Sequence, residues 1–247
     1  MKKKALSFAF LVSSFILLII LFNGYCATGA DSSEILNAIK NKYDGFEAGI
    51  KDMRLEMEIE TDAAGPHIKA EQTVLKKGEK IRVESLIRVP SIEKPETSIF
   101  IHDGRNSWVI SPERGTTELL PESKAEQFRT EERWWEKVLR NARITGEDKV
   151  GEREAVIIEI EDEQGGAPAS LWVDKNDLVL LQAESRTADG QNARWVFSEF
   201  RKVNSWDMPY RTEMYLGDTL QSTSTIRSFE INQGLSDEVF TPEAARK

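Results

Sequence analysis

The sequence is short of the residues that carry most enzyme chemistry. Its one cysteine, Cys26, lies in an N-terminal segment unlike the rest, and beyond it there is no thiol for a disulfide framework, a zinc cluster or a nucleophile. An exported chain without disulfides must be held by its core, and 217 residues suffice for one core and one domain, 31–247. Histidine is nearly absent: His67 and His102 each sit in or beside a turn. There is no Gly-x-Ser-x-Gly elbow, no His-Glu-x-x-His pair and no glycine-rich phosphate loop. Excess positive charge is lacking too. Setting aside residues 1–30, with three lysines and no acid, takes the formal charge from −9 to −12. That argues against nucleic acid or an anionic membrane surface as the main partner.

What is present begins with an export signal. Lys2, Lys3 and Lys4 precede an apolar run of 18 residues from Ala5 to Phe22, and the small residues "CATGA" follow. This is the layout of a secretory signal peptide over 1–30, cleaved after Gly29 or Ala30. The run is close to a membrane span in length, so an uncleaved inner-membrane anchor is the alternative. Asn23-Gly24-Tyr25 before Cys26 make a poor lipid-attachment site.

The body of the chain is written in period two. In "MRLEMEIE" Met53, Leu55, Met57 and Ile59 share one face of a strand; Arg54, Glu56, Glu58 and Glu60 share the other. Strands over about 67–75 and 81–85, then around 99–101 and 108–110, follow between turns at Ala64-Gly65-Pro66, Lys77-Gly78 and Asp103-Gly104. After residue 142 come "REAVIIEIED", "ASLWVD", "LVLLQAESRT", "ARWVFSEFRKV", "YRTEMYLGD" and "TSTIRSFEIN". Two segments break the pattern. Asp31-Ser32-Ser33-Glu34 fits a capping box opening an amphipathic helix over about 32–44. "ESKAEQFRTEERWWEKVLRN" lacks alternation and reads as a helix over about 122–140, with Phe128, Trp135, Val138 and Leu139 near one face. The expected fold is mainly β, of the α+β kind: a curled antiparallel sheet of about ten strands, an N-terminal helix, and a lid helix over the concave face.

Polar clusters read as structure. Glu159 and Glu161 alternate with Ile158 and Ile160, as a solvated strand face does. His102 beside Asp103 is the nearest approach to a triad, and reads better as a strand entering an Asp-Gly turn. Asp174-Lys175-Asn176-Asp177 invites a calcium reading. An EF-type loop, however, needs a glycine at its sixth position and further oxygen ligands, and here Leu178 to Leu181 fill the fifth to eighth. It reads as a hairpin turn, with Leu171, Val173, Val179 and Leu181 on one side and Trp172, Leu178 and Leu180 on the other. No metal, no cofactor and no catalytic residue is expected. Six tryptophans and the Met53–Met57 pair read in two ways, as the filling of a core or as the adaptable lining of a pocket for an acyl chain, and composition does not separate the two.

Five strings extend this reading: "FIHDGRNSWVISP", "RWWEKVLRNARITGEDKVGEREAVIIEIED", "SLWVDKNDLVLLQAE", "WVFSEFRKVNSWDMPYRTEMY" and "EINQGLSDEVFTP". In their order, behind an export signal, they resemble the LolA-type outer-membrane lipoprotein-sorting family, with its LolA/LolB-like lipid-carrier fold. The resemblance implies an incomplete antiparallel barrel closed by helices, with an apolar cavity that shields lipoprotein acyl chains or another lipid in the periplasm. It also implies an inner-membrane donor, an outer-membrane acceptor and a monomeric carrier rather than an enzyme. The cavity lining expected here is Met53, Leu55, Met57, Ile59, Val74, Val83, Ile101, Trp108, Phe128, Trp135, Leu139, Trp172 and Phe197. The chain departs from the family at one place. The family has Arg-Pro on the strand after its first hairpin, where the arginine ties the lid shut. Lys77-Gly78 stand there instead, with Arg82 nearby, leaving Lys77 and Arg82 as candidate lid contacts. A lysine lacks the planar fork of an arginine. The alternative is an envelope sensor or interaction module with the same fold.

Overall fold

The computed structural model describes residues 30–61, 67–121, 142–160, 169–187, 189–204 and 206–246. The proposed signal peptide and the expected helix over 122–140, with Phe128, Trp135 and Leu139, lie outside them.

Helix α1 spans Ala30–Ala48. It starts before Asp31 and runs four residues past the expected end, so Asp31 lies inside it and is not its cap. Gly45 does not interrupt it; the helix ends at Gly49, whose N–H reaches the Phe46 carbonyl at 3.0 Å. Leu36, Ile39 and Tyr43 fall on one face at helical spacing and are all buried.

Thirteen strands follow: β1 (Asp52–Thr61), β2 (Ile68–Lys77), β3 (Lys80–Arg88), β4 (Glu96–His102), β5 (Ser107–Ser111), β6 (Thr116–Leu119), β7 (Ala142–Val150), β8 (Arg153–Ile160), β9 (Ala169–Asp174), β10 (Leu180–Arg186), β11 (Asn192–Val203), β12 (Trp206–Leu216) and β13 (Thr219–Ile231). Short 3-10 turns cover Asp237–Phe240 and Pro242–Arg246. The strand order is β6-β5-β4-β3-β2-β1-β13-β12-β11-β10-β9-β8-β7, a linear order that does not close into a barrel. From β1 to β6 and again from β7 to β12, strands that are neighbours in sequence pair antiparallel, as short turns require. The expectation of about ten strands missed β6 and β7. These are the strands at the two ends of the order, and both lack the apolar alternation that reveals a strand. All of β6 is exposed, and β7 shifts register between Ile144 and Gly146.

The described residues form two compact units, one of residues 50–121 and 223–246, the other of 30–49 and 142–222. In the first, Gly78 takes φ 57° between β2 and β3, a left-handed turn that glycine reaches without a Cβ penalty. In the second, α1 covers one face of β7–β12. Leu36, Ile39 and Tyr43 pack with Ala142, Val156, Ile158, Ile160, Leu171, Val173 and Trp206. Trp206 is held between two aromatic rings of α1: Phe46 stacks on it at 4.0 Å and Tyr43 meets it edge-on at 4.6 Å. Burial raises the Tyr43 phenol pKa, so the ring stays neutral.

Candidate functional site

Register decides which side chains share a face, because residues directly opposite on paired strands point the same way. In the first unit the face called A carries four rows across the strands, the outermost of them a mixed row of Met53, Lys76, Ile81, His102 and Ser107. Leu55, Val74, Val83, Phe100 and Val109 form one apolar row. Ile59, Ala70 and Ile87 form another, and these pack as a cluster with Ile68, Met57 and Val89. Between them runs a row of different chemistry: Met57, Gln72, Ser85 and Ser98. Gln72 is 3 % exposed, and its Nε2 donates to Ser85 Oγ at 2.9 Å. Ser224 of β13 joins the row, its hydroxyl 3.6 Å from the Met57 sulfur. Met53, Leu55 and Met57 are only half-buried.

Face B of the same unit has two parts. Over β1–β3 it is charged. Glu56, Glu58, Glu71, Glu84 and Arg227 border a groove of about 340 Å³. Every carboxylate there has a partner: Glu56 takes Arg54 and Ser228, Glu58 takes Arg227, Glu71 takes Arg88 and Glu84 takes Arg82. The hydrogen bond from Arg54 holds the Glu56 carboxyl below its usual pKa. Over β4 and β5 face B turns apolar, with Ile99, Ile101, Ile110 and Trp108 packed against Ala245 of the C-terminal segment. That segment is pinned from β2 and β3. Lys77 donates to the Leu235 carbonyl at 2.7 Å, buried Arg82 donates to the Val239 carbonyl at 2.8 Å, and Lys77 and Lys80 both pair with Asp237. Phe240 is fully buried beneath it.

The expected cavity residues therefore do not share one surface. Met53, Leu55, Met57, Ile59, Val74 and Val83 lie together on face A. Ile101 and Trp108 lie on face B, opposite Arg82 and Leu119. In the second unit Trp172 packs with Ala155, Val179, Leu181 and Phe200, on the face away from α1. Phe197, two residues on from Trp195, shares its face, which is in line with Ala183 and Leu171 on the α1 side. Lys77 and Arg82, expected as lid contacts, hold residues 235–239. Sequence reasoning passed over Gln72, the buried glutamine of face A. The signal was present in "IKAEQTVLKK", where a glutamine takes an inward position between Ala70 and Val74.

The Asp174 cluster is a turn built around one carboxylate. Asp174 Oδ1 accepts the N–H groups of Asn176 and Asp177 at 2.8 and 2.7 Å, while Oδ2 accepts Arg153 Nε at 2.8 Å. Burial pushes the Asp174 pKa up, but the Asp177 amide, Arg153 and the Asn176 amide outweigh it and bring it below the usual value. The faces expected for this hairpin are corrected here. Leu178 adopts φ 52° and the β9–β10 register shifts between Leu180 and Gln182. The bulge turns Leu178 and Leu180 to the α1 face with Leu171 and Val173, and sends Val179 and Leu181 to join Trp172.

Catalytic geometry is weak. His102 Nδ1 lies 3.0 Å from Ser107 Oγ, but both residues are buried at strand ends, and Asp103 spends Oδ1 on the N–H groups of Arg105 and Asn106. Among the described residues no three potential ligands gather as a metal site, and no helix is long and apolar enough to cross a membrane.

No protein-family model and no curated protein sequence matches the chain. Solved structures do. A DUF1329 family protein from Desulfovibrio piger matches at 13 % identity and a TM-score of 0.64, over 87 % of this chain and 98 % of its own. A domain from Vibrio parahaemolyticus, assigned provisionally to outer-membrane lipoprotein sorting, matches at 14 % and 0.59, over 88 % and 99 %. A LolA superfamily protein from Nitrosomonas europaea matches at 16 % and 0.55, over 85 % and 98 %. At these identities the likeness is one of fold.

Proposed function

We propose that this chain is a non-enzymatic carrier of acyl chains, of a lipoprotein or another lipid, exported to the periplasm and working towards the outer membrane. The observation that carries the reading is face A: two apolar rows, one of Leu55, Val74, Val83, Phe100 and Val109 and one of Ile59, Ala70 and Ile87, on a face where Met53, Leu55 and Met57 remain half-buried. The shared fold with a lipoprotein-sorting domain and a LolA superfamily protein supports it. So do the methionines, since unbranched thioethers adapt to chains of differing shape.

The energetics suit a reversible carrier. Keeping each CH₂ from water is worth about 0.8 kcal/mol, so a chain of about fourteen carbons gains roughly 11 kcal/mol. A bilayer offers the same apolar shelter, so exchange between membrane and protein lies near balance, and partner proteins at the inner and outer membranes would set its direction. In this reading residues 31–247 act as one carrier domain.

Solvent extraction of the purified exported chain, followed by mass spectrometry, tests this directly. Co-purifying lipid, or displacement of a fluorescent acyl probe at micromolar concentration, is the expected result. Protein that is consistently lipid-free and fails to bind acyl probes overturns the carrier reading.

A further inference from the structure

The middle row of face A contains an unmet demand. Gln72 is 3 % exposed, and its Nε2 is used by Ser85, yet its Oε1 has no hydrogen-bond partner. An amide oxygen buried without a donor is destabilising, because it gives up its bond to water and gains none in return. Leucine or methionine at this position would fill similar space without that cost. The neighbours in the row compound the point. Ser85 and Ser98 lie in line with Gln72, and Ser224 approaches Met57 from β13. A polar belt thus crosses a face that is apolar on both sides, with Leu55, Val74 and Val83 on one flank and Ile59, Ala70 and Ile87 on the other.

We propose that Gln72 is the polar anchor of the acyl-ligand site on face A. Its Oε1 accepts a hydrogen bond from an N–H or O–H group at the head of an amphiphile whose chain lies over the apolar rows beside it. The inference rests on the carrier reading and narrows it to lipids that bear a donor next to the acyl chain. A ligand without a donor leaves the buried carbonyl unpaired and is disfavoured, because a site built to bond a polar group rejects analogues lacking it. Ser85 holds the amide in place, and the other serines of the belt offer further hydroxyls to the same headgroup.

Three probes with equal chains separate the possibilities: N-methyl myristamide (an N–H donor), myristyl alcohol (an O–H donor) and methyl myristate (no donor). Each competes with a fluorescent acyl probe on the purified exported chain and on Gln72→Leu, with thermal midpoints recorded for both. The expected result is that one or both donor probes bind the wild type roughly three- to tenfold more tightly than the ester, the range one hydrogen bond supplies. In Gln72→Leu that preference disappears while the ester binds at least as well as before. The amide and the alcohol show which donor is read. Equal binding of all three probes to the wild type overturns the role of Gln72 and leaves the carrier reading standing. Failure of every probe to bind overturns the carrier reading itself. A higher midpoint for Gln72→Leu with an unchanged probe ranking makes Gln72 a structural residue only and also overturns the proposal. Should Gln72→Leu fail to fold, the wild-type ranking alone decides.

Discussion

Asp174 shows how much one carboxylate organises. It takes two backbone amides and the Arg153 guanidinium, while Arg153 reaches on to Asp177 at 2.8 Å. Asp174→Ala leaves those donors without their acceptor, and a loss of about 2–3 kcal/mol in urea unfolding is expected. Asp174→Asn keeps the acceptor for the turn amides and loses the charge, so a loss of about 1 kcal/mol is expected. The pH dependence has a definite sign. The folded-state pKa lies below the ordinary value of 3.8, so the stabilisation is complete above that value and fades as pH falls through the folded pKa. The gap between wild type and Asp174→Asn in midpoint urea concentration therefore narrows below about pH 4. A gap that stays constant down to pH 2 contradicts this assignment. The four polar residues 174–177 were legible as a turn from sequence, since Asp and Asn bond their own backbone. The partner Arg153, on another strand, was not.

At the scale of elements, α1 and the C-terminal segment make different demands. The helix face depends on fully buried Ile39 and on the Tyr43–Trp206–Phe46 aromatic group. Ile39→Ala is expected to cost about 2–5 kcal/mol by chemical denaturation, the range for a truncated core aliphatic that leaves a cavity. The segment over face B is held by fewer groups, chiefly Arg82 on the Val239 carbonyl and the two lysines on Asp237. Those lysines lower the Asp237 pKa, consistent with a carboxylate that stays charged. Arg82→Met keeps the length of the side chain and removes its donors. Limited proteolysis within residues 232–246 is then expected to speed up about tenfold or more, the worth of one charged hydrogen bond. An unchanged cleavage rate means the segment is held without Arg82, by the Lys77 and Lys80 contacts to Asp237 and the burial of Phe240. Helix existence was legible from spacing, but its ends were not, because the last helical residue, Ala48, lies five residues past Tyr43 at the end of the apolar stripe.

At the scale of the whole molecule, charge and apolar surface point to different behaviour towards membranes. With a formal charge of −12 beyond residue 30, the chain is expected not to co-sediment with anionic vesicles. Acyl-probe affinity should change less than about threefold between low salt and about 0.5 M, because the contact is apolar. A steep salt dependence shifts the weight to the charged face B. The sequence alone determined the class of the fold, the alternation of β1 and the turns at Gly78, Asp103-Gly104 and Asp174, because period two and turn residues are local properties. Only the tertiary structure decided which alternating set met which neighbour. Registers separated Ile101 and Trp108 from Met53–Ile59, one bulge exchanged the faces of Leu178–Leu181, and a glutamine without a partner emerged in a row of serines. A shift of one residue inverts a strand face, and that shift is set by pairing partners far away in the chain.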